Sequence, residues 1–175
     1  MNQEEKFQKL WERVQKLKDN KTLDLSMEED LSLAVMNLVS LEEHFFFTGK
    51  KTGKEDYFDL LAEVREIRKE LLGRLVSKHE GETWCISKHL LAASMRLMEV
   101  GTKLFSDGKK EEAKKTFDQA YHVYSLFWGL RLKLLDLGEV KAIGDEQLNR
   151  HDKKGEKTPW TTQDIVDKLV DCCKE

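Results

Sequence analysis

Apolar residues recur along this chain at spacings of three and four, and strict alternation is nearly absent. The pattern predicts helices and no strands. Six helices are expected. The first runs from about Gln3 to Lys18 and carries Phe7, Leu10, Trp11 and Val14. The second is expected to start at a capping box, Ser26 with Glu29 three residues on. It carries Leu31, Val35, Leu38 and Phe45 and ends near Gly49. The third spans about Glu55 to Ser77, with Phe58, Leu61, Val64, Leu71 and Leu75 on one face. Gly81, in "SKHEGET", marks a stop. The fourth then runs from about Thr83 to Ser106 and the fifth from about Lys110 to Leu137. The polar stretch "GDEQLNRHDKKGEKTP" leads to a short last helix, Gln163 to Cys172, capped by Thr161 or Thr162.

Sliding the chain by 59 residues brings "GKK" at Gly49–Lys51 onto "GKK" at Gly108–Lys110, and Phe58-Asp59 onto Phe117-Asp118. Residues 31–76 then match 90–135 at 13 of 46 positions without gaps, which points to a duplicated helix hairpin. On that register the two turns lie at the same end, and Phe58 and Phe117 are both buried. The copies differ most where Arg65, Arg68 and Lys69 face Tyr124, Phe127 and Trp128. One hairpin cannot cover its own apolar stripe, but two packed together can. The expected fold is all-α: an up-down-up-down four-helix bundle of two similar hairpins, residues 26–78 and 83–137. An extra N-terminal helix, residues 3–18, completes a helical domain over 1–137. Residues 138–175 supply a polar linker and a C-terminal helix that packs on the same domain.

The segment "VGTKLFSDGKKEEAKKTFDQA" carries small residues where two helices would touch. Gly101, Ala113, Phe117 and Ala120 fall at the spacings of the tetratricopeptide pattern, with Leu97 where that pattern has Trp. Residues 97–120 therefore resemble one tetratricopeptide-type helix hairpin. No second copy appears at a 34-residue period, so the segment is read as half of a bundle and not as a solenoid unit.

Composition narrows the function classes. Of 175 residues, 39% are hydrophobic and 36% charged, with a single proline, as suits a packed helical domain. The net charge is −3 and the two signs are interspersed, so no basic field for nucleic acid stands out. The start is charged and amphipathic, unlike a signal peptide. The longest nearly apolar run, "VYSLFWGL", is too short to cross a bilayer. Three cysteines, Cys85 and the adjacent Cys172 and Cys173, do not form a disulfide framework. The expected setting is the reducing cytoplasm.

Three constellations could carry chemistry. Cys85 and His89 share a face of the fourth helix, as Asp118 and His122 do of the fifth, each pair at i, i+4. Together they are the set a metal would use if this were a ferritin-like metal-binding bundle. No Glu-x-x-His occurs, although that class requires one on two of its helices. The four residues therefore read as a polar seam between helices, and no metal or cofactor is expected. Arg74 and His79, as Arg-x4-His, are similar to the motif of HEPN-type helical ribonucleases. That resemblance implies an Arg and a His acting on a phosphate. Leu75 stands where a polar residue is usual. Cys172-Cys173 could bind a soft metal or respond to oxidants, but reads as one partly buried and one exposed thiol on a terminal helix. No phosphate-binding loop, dinucleotide fingerprint or nucleophile elbow is present.

The fifth helix is apolar over most of its circumference. Tyr121, Tyr124, Phe127 and Trp128, with Trp84 on the fourth helix, exceed what one bundle interior takes. They call for a cover. It would come from the first helix, from the last (Trp160, Ile165, Leu169), or from another subunit. The expected function is non-enzymatic: an interaction or assembly module that binds a protein partner or itself as a homo-oligomer, through those five residues. A metal-binding bundle and a HEPN-type ribonuclease are the alternatives.

Overall fold

The computed structural model describes residues 3–19, 24–76, 82–135, 159 and 161–169. The described chain is helical throughout: α1 Gln3–Asp19, α2 Leu25–Thr52, α3 Asp56–Leu75, α4 Glu82–Ser106, α5 Lys110–Arg131 and α6 Thr162–Leu169. Helix α2 packs along α3, α4 packs along α5, and the two hairpins meet where α2 lies against α4 and, through Ser32–Tyr124 and Glu28–Arg131, reaches α5. Such packing suits the expected four-helix bundle.

Local chemistry moves several of the expected boundaries. Asp24 caps α2, not Ser26: its carboxylate accepts the Met27 amide at 3.0 Å. Helix α2 continues through Gly49 and stops at Gly53, whose φ of +69° is the left-handed conformation that favours glycine. The first hairpin turn is therefore Gly53–Glu55, and "GKK" at Gly49–Lys51 is helical. Gly49 serves close packing instead: a Cβ there would sit 3.0 Å from the Phe58 ring. In the second hairpin the matching left-handed glycine is Gly108, at +77°. The helix ends, Thr52 and Ser106, and the following starts, Asp56 and Lys110, are each 54 residues apart. The hairpins are alike in form, but the 59-residue register pairs the end of one helix with the turn of the other. Phe58 is 36% exposed and Phe117 half-buried, so the expectation of two buried phenylalanines fails. Each ring instead lies on a glycine of the preceding helix, Gly49 or Gly101.

Helix α5 stops at Arg131, short of Leu137. Lys133 takes a φ of +54° and its amide bonds the Leu130 carbonyl, while the Leu134 amide reaches Gly129. These are the paired bonds of a left-handed helix stop. Leu135 then folds back onto Gly129, where a Cβ would meet it at 2.8 Å.

The core sits at the end away from the turns. Val35 and Met36 of α2, Leu72 and Leu75 of α3 with Val76 after it, Trp84, Cys85 and Leu91 of α4, and Phe127 of α5 form one buried cluster. All lie some 15 residues or more from a hairpin turn, about 22 Å or more along the axis. One step nearer the turns the α2–α3 contact becomes ionic. Arg68, only 1% exposed, donates to Glu42 through Nε at 2.8 Å and Nη2 at 3.2 Å. Arg65 adds a contact to the same carboxylate at 3.5 Å. The α4–α5 contact is made by small residues there. Ser94 donates to the Ala120 carbonyl at 3.0 Å, and Gly101 lies under Phe117.

Candidate interaction surface

Two helix seams lead from the core toward the turns. On α4 the inward positions are Trp84, Ser87, Leu91, Ser94, Met98, Gly101 and Phe105, in alternating steps of three and four. The first four are buried. Beyond them Gly101 is buried under Phe117 of α5, while Met98 is 43% and Phe105 56% exposed. On α2 the same steps run Val35, Val39, Glu42, Phe46. Val35 and Glu42 are buried, and Phe46 is 46% exposed. Phe47 stands beside it, edge-on at 5.3 Å between ring centroids. An exposed ion pair, Arg96 Nε to Glu43 at 3.0 Å, ties α4 to α2 just below this level. Each hairpin stays closed on itself near its turn, through Phe58 on Gly49 and Phe117 on Gly101. Phe46, Met98 and Phe105 are thus exposed at helix positions that continue stripes buried lower down.

The five aromatic residues singled out on sequence fall in three environments. Trp84 and Phe127 are buried in the core cluster, and Tyr124 and Trp128 are half-buried against it. Tyr124, Phe127 and Trp128 pack ring on ring, with centroids 5.6–6.3 Å apart. Tyr124 finds cover on α2: its Oη lies 2.7 Å from Oγ of the buried Ser32. Arg131 on the same face pairs with Glu28 of α2. Tyr121 is 73% exposed. Lys69 is half-buried and ion-paired with Glu66.

The other candidates are dispersed. Cys85 is buried and in no disulfide, while His89, Asp118 and His122 are exposed. Among the described residues no three His, Cys, Asp or Glu side chains converge as a metal ion would require. Arg74 lies exposed in the last turn of α3, and His79 falls outside the described residues. So do Cys172, Cys173 and Trp160. Phe7 and Trp11 of α1 are exposed, as are Ile165 and Val166 of α6. Among the described residues no helix is long and apolar enough to cross a membrane.

Neither known protein families, nor curated proteins, nor solved structures contain a match to this chain.

Proposed function

We propose that this protein is a non-enzymatic helical interaction module that takes an amphipathic helix against the exposed apolar side chains near its hairpin turns. One observation carries the reading: the α4 seam keeps its apolar spacing past Ser94, yet Met98 and Phe105 are about half exposed. A bundle that served only its own stability would close there or turn polar. Apolar side chains grouped beside polar ones mark interaction sites, and a groove between helices is a recurring receptor for an amphipathic helix. The partner is a protein helix or this chain itself as a homo-oligomer.

A second reading rests on α5. Tyr121 is exposed and lies one heptad from the half-buried Trp128, so the two share an edge of that helix. An aromatic edge of this kind is a common interface anchor.

One experiment separates the two readings. Amphipathic helical peptides displayed on phage are selected on the full chain, and binders are retested on Phe105→Glu and Tyr121→Glu. Loss of binding with Phe105→Glu alone supports the surface near the turns. Loss with Tyr121→Glu alone supports the α5 edge. Binders indifferent to both, or no binders, overturn the two readings together.

A further inference from the structure

We propose that the outer edge of α3 is a further docking face, fitted to a basic amphipathic helix of another protein. This face is separate from the apolar side chains near the turns and from the α5 edge.

Helix α3 carries two apolar stripes. Leu72 and Leu75 belong to the core cluster and Arg68 pairs with Glu42, so the stripe they share faces α2. Leu60, Val64, Ile67 and Leu71 recur in steps of four, three and four and form the other, turned about 80° around the helix. Leu60 is 42% and Ile67 51% exposed, while Val64 and Leu71 are half-buried. Among the described residues the broad contact of α3 is with α2, on the first stripe. Single exposed apolar side chains are ordinary on a protein surface. A stripe held over three turns is the mark of a helix face that something covers.

The charge along the rim points to the partner. Asp59, Glu63, Glu66 and Glu70 repeat the same steps and edge the second stripe on the side away from α2. All four are exposed. Lys69 pairs with Glu66 at 3.0 Å, and among the described residues no cation pairs with the other three. Arg74 follows only in the last turn.

This rim decides between occupants. A second copy offering the same face would set its own carboxylates against these, because a two-fold contact pairs a patch with itself. Nucleic acid and an anionic membrane surface meet the same repulsion. A helix with apolar side chains in steps of three and four, and Lys or Arg along one flank, satisfies both the stripe and the rim. Leu60 to Leu71 covers about 16 Å, so the partner helix needs about three turns. A contact of that length falls in the transient class, below about 1,200 Å². The carboxylates then serve the rate of association and the choice of partner.

The test selects phage-displayed helical peptides on the full chain. The library keeps Leu at the a and d positions of a heptad and varies the flanks between Lys and Glu. Binders are titrated against the wild type, Ile67→Asp, and the double variant Glu63→Lys/Glu70→Lys. These side chains are half or more exposed, so the variants should fold, as circular dichroism will verify. Binders that use α3 should carry Lys on one flank and lose at least about tenfold in affinity on Ile67→Asp. They should also weaken on the double variant and as salt rises from about 0.05 to 0.5 M. Exchanging the flanking Lys of such a peptide for Glu should restore binding to the double variant, an effect that misfolding cannot produce. A selection in which no binder depends on Ile67 overturns the proposal. So do Ile67-dependent binders that are indifferent to charge reversal on both sides. Binders that depend on Phe105 or Tyr121 and not on Ile67 overturn it and leave the interaction reading above standing, whereas binders that depend on Ile67 alone do the reverse.

Discussion

Arg68 offers the sharpest test of how the first hairpin is built. Its guanidinium is buried between α2 and α3 and meets both oxygens of Glu42. Arg68→Met keeps much of the aliphatic stem and removes the charge, so Glu42 is left in a nearly closed site. Breaking a buried pair in this way typically costs about 3–5 kcal/mol. Arg65 remains 3.5 Å from the same carboxylate, but its side chain is 45% exposed. That partial replacement moves the expected loss toward about 3 kcal/mol. Urea unfolding of the single variants and of Glu42→Leu/Arg68→Met gives the whole cycle. The double variant should lie within about 1 kcal/mol of the wild type, or above it, because two buried charges are exchanged for apolar volume. The coupling energy should exceed about 1.5 kcal/mol. A single-variant loss below about 1 kcal/mol would refute the reasoning. It would mean that Glu42 simply turns to water and that the hairpin is not closed at that level.

Other substitutions probe the close contacts. Gly101→Ala places a methyl group 2.6 Å from the Phe117 ring and should destabilise by about 1–3 kcal/mol in thermal or urea unfolding. An unchanged midpoint would mean that Phe117 swings out freely. Lys133→Gly relieves a left-handed conformation at the α5 stop and should add about 0.5–1 kcal/mol of stability in urea unfolding. A loss there would show that the lysine side chain matters more than the backbone.

How much of this was legible in the sequence depends on what each feature needs. Helix class and hairpin pairing follow from spacing alone, because a 3.6-residue period survives any tertiary context. The position of a turn does not. Gly49 and Gly53 look alike in sequence, but one is required for the approach of Phe58 and the other for a positive φ. The "GKK" repeat drew the register to the wrong glycine. The Glu42–Arg68 pair left a readable trace. Glu42 interrupts the Val35, Val39, Phe46 seam, and Arg68 interrupts Leu61, Leu72, Leu75. Each lies about 15–18 Å from the first turn, and opposite charges at one level of two apolar seams imply a pair. The exposure of Met98 and Phe105 was not readable, because spacing places them on the stripe that is buried lower down but does not say where that stripe stays uncovered. The aromatic excess on α5 pointed to a cover. For Tyr124 that cover includes α2, reached through a hydroxyl contact between residues 92 apart.

The most direct test of the central claim is hydroxyl-radical footprinting read by mass spectrometry. On dilute protein, Phe46, Met98 and Phe105 should oxidise readily while Leu91 and Phe127 stay protected. When the chain self-associates or binds a selected helical peptide, those three sites should become protected, while Tyr121 keeps its reactivity. Protection confined to Tyr121 and its neighbours, or association that leaves Met98 and Phe105 fully reactive, would contradict the account.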